Sequence, residues 1–110
     1  MSVVATLADG ATALDIIRRE APDVAVLDVR MPGLDGIEVA RRLFTDDQHP
    51  PRTVIVTQHW DRVVGERAAA AGVSGYVPKD NAFSEIVGAV RAAARGQTYV
   101  SRGLPGFRDH

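Results

Sequence analysis

Three side chains of different chemistry fall where short apolar runs end. Asp28 closes Val24-Ala25-Val26-Leu27, Thr57 closes Val54-Ile55-Val56, and Lys79 follows Gly75-Tyr76-Val77-Pro78. A carboxylate can attack phosphorus and form an acyl phosphate. An ammonium offsets the charge on phosphoryl oxygens, and a hydroxyl donates a hydrogen bond to one of them. Lys79 is the only lysine, set against twelve arginines. The functional reading is that a compact ammonium is needed there, where a planar guanidinium does not substitute; codon bias towards arginine is the competing reading.

These residues need elements that bring them together. Val24–Leu27 reads as a strand buried on both faces, ended by the Met31-Pro32-Gly33 turn. Before it, Val3–Leu7 reads as a strand ended by Asp9-Gly10, then a helix with Ala13, Leu14, Ile17 and Ala21 on one face. After it comes a helix from about Asp35 to Phe44, with Asp35 as its cap and Ile37, Ala40, Leu43 and Phe44 towards the core. Thr45–Pro51 is a polar loop in which Asp46 and Asp47 are expected to be solvated. Thr53–Thr57 is a β-branched strand. The helix from about Asp61 to Ala71 is mostly alanine and should be the loosest, with Gly72 as a C-cap. Gly75–Val77 is a short strand, and Pro78–Asn81 a loop. Phe83, Ile86, Val87, Val90 and Ala94 then form the clearest amphipathic stripe, capped by Asn81 or Ser84. Gln97–His110 shows no continuing pattern and reads as loose.

Four strands alternating with four helices imply an α/β, doubly wound parallel sheet with right-handed crossovers. Strand C-termini share one edge of such a sheet, so Asp28, Thr57 and Lys79 converge there.

With 110 residues the chain supports one compact domain. Its 45% apolar content and net charge of −1 argue against disorder, a nucleic-acid footprint and a membrane surface. The absence of cysteine excludes disulfides and thiolate metal sites and fits a cytoplasmic address. His49, His59 and His110 lack ligand spacing. His59-Trp60, beside Thr57, reads as either an exposed recognition surface or a lid.

The segments Val26-Leu27-Asp28-Val29-Arg30-Met31-Pro32-Gly33-Leu34-Asp35-Gly36, Val54-Ile55-Val56-Thr57 and Gly75-Tyr76-Val77-Pro78-Lys79-Asp80 together resemble the receiver domain of two-component response regulators. The flavour is that of the LuxR/NarL/FixJ-type helix-turn-helix regulators, and the resemblance covers about residues 3 to 101. It implies a flavodoxin-like fold, with Asp28 as phosphoacceptor, Thr57 as switch hydroxyl and Lys79 as the phosphate-binding lysine. Tyr76 matches the family's switch aromatic; a plain core role competes with that. The backbone carbonyl of Arg30 would join Asp28 in holding Mg²⁺, and its side chain, with Gln58, would tune water access. The implied partners are a histidine kinase and a second copy, through the third helix, fourth strand and last helix. An aspartyl phosphatase needs a second acid two residues after the nucleophile. Arg30 stands there, so the chain reads as a non-enzyme.

One part of the family pattern has no counterpart. Receivers have an earlier strand ending in a pair of acids that hold Mg²⁺, whereas this sequence opens at what matches the second strand. The expectation is weak Mg²⁺ binding and slow phosphoryl transfer. Val3–Leu7 should either close up beside Val24–Leu27 or leave a gap, and the uncovered stripe of the last helix should favour self-association. Residues 1–101 are expected to form the receiver-like domain and 102–110 a loose tail. Two readings stay open beside this one: a phosphorylation-independent interaction or dimerisation module, and a fragment of a full-length DNA-binding response regulator whose true start lies upstream.

Overall fold

The computed structural model describes residues 1–5, 9–58 and 60–101, with Phe83 as backbone only. The strands are β1 (Val3–Val4), β2 (Val24–Asp28), β3 (Arg52–Thr57), β4 (Gly75–Pro78) and β5 (Tyr99–Val100). The helices are α1 (Gly10–Glu20), α2 (Gly36–Asp46), α3 (Arg62–Ala70) and α4 (Ala82–Ala94), with a 3-10 turn over Lys79–Asn81 leading into α4. All neighbouring strands are parallel, in the order β1-β2-β3-β4-β5. The parallel α/β sheet expected from the sequence is present, with one strand more.

That extra strand corrects the expectation of a loose chain after Gln97. The Tyr99 N–H donates to Ser74 O at 2.8 Å and the Ser101 N–H to Tyr76 O at 3.0 Å. Two residues give no readable alternation, so only the neighbouring strand reveals them. Residues 102–110 lie outside the described residues, as do Thr6 and Leu7 of the expected first strand. What is described of that strand closes up beside β2, with Val3 opposite Val24 and Val4 opposite Ala25.

Alternation along each strand divides the core in two. Ala25, Leu27, Ile55 and Tyr76 face α1, α2 and α3, joining Ile17, Ile37, Leu43 and Ala68. Val24, Val26, Val54, Val56 and Val77 face α4, which contributes Ala89 and Ala93. The first three crossovers thus carry their helices on one face and the fourth on the other, while the strand order keeps advancing the same way. The β4-α4-β5 crossover therefore has the opposite hand to the other three, against the expectation of uniform right-handedness.

Several side chains depart from the periodic reading. Ala21 is not on the buried face of α1: it is the C-cap, at φ 47°, its N–H donating to Ile17 O at 2.9 Å. Pro22 follows, so the helix cannot continue and the chain turns out through a left-handed residue. Phe44 is 56% exposed, because the last turn of α2 lifts its ring off the sheet and over Gly72. Val39 is buried in its place. In α4 Ala89, Ala92 and Ala93 are buried, and Ile86 and Val90 of the expected stripe pack half-buried against the core, while Val87 is 57% exposed. Asn81 occupies the N-cap position without a side-chain cap bond, and Ser84 Oγ donates to Asn81 O at 3.1 Å. Asp46 and Asp47 are not merely solvated: Arg18 of α1 lies 3.7 and 3.2 Å from them.

Candidate functional site

Strand register builds the site. Asp28, the last residue of β2, stands opposite Val56, and Thr57, the next residue of β3, stands opposite Pro78. Lys79 follows Pro78, so acid, hydroxyl and ammonium occupy consecutive steps along one sheet edge. Lys79 Nζ lies 2.6 Å from Asp28 Oδ2, and the Arg30 N–H donates to Asp28 Oδ1 at 3.0 Å. The Asp28 side chain is 17% exposed and Lys79 44%, which leaves the pair reachable from solvent.

Two glycines let the surrounding loop sit this tightly. A Cβ on Gly36 would come within 2.2 Å of the Asp28 carbonyl oxygen, and one on Gly10 within 2.0 Å of the Leu34 carbonyl oxygen. The start of α2 is thereby pressed against the end of β2, with the Gly36 N–H donating to Val29 O at 3.0 Å. Asp35 caps α2, its Oδ1 accepting the Glu38 N–H at 2.8 Å, as its position in the sequence suggests.

Thr57 is buried at the end of β3. Tyr76 is also buried, among the residues of the three-helix face. Its hydroxyl donates to Val73 O at 3.0 Å, and its ring meets Trp60 edge-on with centroids 5.7 Å apart. Trp60 is thus half-buried against the core instead of forming an exposed surface; His59 lies outside the described residues. A cleft of about 670 Å³ opens beside the loop after β2, lined among others by Arg30, Pro32, Thr57, Asp61 and Arg67. Arg67 Nη2 reaches across to Asp35 Oδ2 at 2.9 Å, tying α3 to the loop after β2. Sequence reasoning passed over Arg67 because its partner is 32 positions away.

The Mg²⁺ expected at Asp28 demands near-octahedral oxygen coordination, usually from carboxylates and water. Among the described residues no group of three or more His, Asp or Glu could hold a metal ion. Asp28 already accepts from Lys79 and Arg30. Asp9, after β1, spends both carboxylate oxygens on Thr12, whose bonds also hold its carboxyl below the usual range. The described residues do not fit a magnesium site.

Residues 1–91 match the family model of the response regulator receiver domain. The chain is 38% identical over 106 residues to a probable transcriptional regulatory protein NarL of Mycobacterium tuberculosis, covering 96% of this chain and 49% of that one. It is 31% identical over 107 residues to the DNA-binding transcriptional activator EvgA of Escherichia coli, covering 97% and 52%. The chain thus spans about half the length of these curated relatives. Among solved structures, the signal receiver domain of NarL from Mycobacterium tuberculosis superposes with a TM-score of 0.79 at 31% identity, covering 86% of this chain and 96% of that one. A LuxR-family two-component response regulator from Aurantimonas sp. superposes at 0.85 with 25% identity, covering 94% and 92%.

Proposed function

The chain belongs to the response regulator receiver domain family, and we propose that within it Asp28 accepts the phosphoryl group. Receiver domains are regulatory, generally bind Mg²⁺ at the phosphorylation site and interact with histidine kinases. In the proposed step an Asp28 carboxylate oxygen attacks phosphorus, the bond from phosphorus to the donor nitrogen or oxygen breaks, and the donor leaves with that electron pair. Lys79 offsets charge on the phosphoryl oxygens, and the Thr57 hydroxyl turns towards one of them. The observation that carries this reading is the 2.6 Å contact of Lys79 with Asp28 at the edge where Thr57 also ends its strand.

Tyr76 follows Thr57 in the proposed switch, and the Arg30 and Gln58 side chains tune water access to the acyl phosphate. The donor is a histidine kinase, and the chain acts as a signal acceptor and not as an enzyme. The described residues do not fit a metal, so the transfer is slow. The domain is residues 1–101. The test is intact mass after incubation of the 110-residue chain with phosphoramidate. Gain of one phosphoryl group, lost in Asp28→Asn, is expected; equal labelling of the variant overturns the assignment.

A second reading, favoured by the exposed Val63 on α3 and Val87 on α4, is a dimerisation module built on α3, β4 and α4. Sedimentation of Val87→Glu tests it: a dimer that persists unchanged contradicts the use of that face.

A further inference from the structure

Glu85, in the first turn of α4, receives hydroxyls from beyond the helix. Tyr99 Oη donates to its Oε1 at 2.5 Å and Ser101 Oγ to its Oε2 at 2.7 Å. The Tyr99 and Ser101 hydroxyls hold this carboxyl below the usual glutamate range. Asn81 closes the 3-10 turn that Lys79 opens. Asn81 is also the N-cap of α4, and the Ala82 N–H donates to Lys79 O, so the turn bearing Lys79 runs directly into the helical turn whose Glu85 carboxylate holds Tyr99 of β5 and Ser101 just beyond it.

β5 needs such an anchor. It is two residues long, and it is reached by a crossover of opposite hand to the other three, where one hand is strongly favoured in parallel sheets. Its ladder bonds to β4 are few. Ser101 is nonetheless only 2% exposed, its hydroxyl bonded to Glu85.

We propose that Glu85 is a positioning residue that couples Lys79, and through it the Asp28 pair, to the docking of β5. The proposal rests on the phosphoacceptor reading for the meaning of Lys79, but not for the coupling itself. A ligand shifts a two-state element only by its differential interaction with the two states, and the coupling is reciprocal. When Lys79 changes partner, its turn moves with Asn81, and Glu85 passes that displacement to Tyr99 and Ser101. A carboxylate suits the task because it accepts both hydroxyls in charge-assisted bonds; an amide has one uncharged acceptor oxygen, and its NH2 can keep the other bond only by reversing it, with the hydroxyl as acceptor.

The test is amide hydrogen exchange, detected by NMR, on the full 110-residue chain without any phosphoryl donor. The Tyr99 and Ser101 amides report β5 docking, since they donate to Ser74 and Tyr76. The Ile55 amide reports the sheet centre. Glu85→Gln is expected to speed exchange at Tyr99 and Ser101 about fivefold or more, leaving Ile55 unchanged. Lys79→Met is expected to speed the same two amides, and to add nothing in the Glu85→Gln background. Multiplying effects of the two substitutions, or no response of β5 to Lys79→Met, overturns the coupling. Tyr99→Phe with Ser101→Ala removes the donors without touching α4 and is expected to abolish the response to Lys79→Met; its persistence also overturns the proposal. Failure of the phosphoacceptor reading appears separately, as a missing label on Asp28 with this exchange cycle intact.

Discussion

On one face of the sheet, covered by three helices, Ile17, Leu27, Leu43 and Ile55 are at most 1% exposed; on the other, α4 alone covers the strands, its Ala89 and Ala93 0% exposed and its Val87 57% exposed. The first face is packed by large branched side chains that interdigitate. The second relies on close approach, with alanines letting α4 lie against a valine surface. The difference matters for the site, because the Asp28 loop is wedged against the first face by Gly36 and Gly10, whereas Lys79 is carried by the turn that starts α4. Asp28 is fixed to the side covered by three helices, and Lys79 lies in the turn that leads into the single helix of the other side.

Ile17→Ala gives the largest expected contrast. It should cost about 2–5 kcal/mol in urea unfolding, as the loss of a buried branched side chain does. Val87→Ala should stay within about 0.5 kcal/mol. Similar losses in the two variants break the asymmetry. Next, Ala89→Leu overfills the tight contact under α4 and should cost about 1–3 kcal/mol; a neutral result shows a looser α4 seat than described. Ala21→Gly relieves a left-handed alanine and should stabilise by about 1 kcal/mol, read from the same unfolding curves.

The smallest effect concerns acid. Arg41 and Arg42 hold the Glu38 carboxyl at about 2 through direct hydrogen bonds, Arg42 Nε lying 3.0 Å away. A folded pKa below the unfolded one contributes stability that is present above the ordinary glutamate range. It is lost as pH falls from that range through about 2. Glu38→Gln should flatten the fall in unfolding midpoint over that window, and only slightly, because the pairs are exposed and screened.

What could be read from the sequence is what local pattern controls. Asp28, Thr57 and Lys79 were legible because each closes a β-branched or apolar run, and parallel topology brings such ends together. The Asp35 cap was legible from residue type and position. Ala21 misled because its helical spacing continues past the point where Pro22 ends the helix. Phe44 misled because a ring over Gly72 depends on the path of a loop that hydrophobic periodicity does not describe. In α4 the stripe was legible at Ile86 and Val90, which pack against the core, but not at Ala89 and Ala93, which lie deepest because the helix sits close to the sheet. Glu85 was out of reach: its partners lie 14 and 16 residues on, in and beside a strand too short to show alternation.

The central claim is that the phosphoryl group resides on the Asp28 carboxylate as an acyl phosphate. Borohydride reduction after phosphoramidate treatment tests it most directly, since it converts an aspartyl phosphate into homoserine at the same position. Peptide mapping should find homoserine at position 28 of the chain and nowhere else, at similar yield in EDTA and in Mg²⁺. Aspartate unchanged at that position, with label elsewhere or nowhere, contradicts the account.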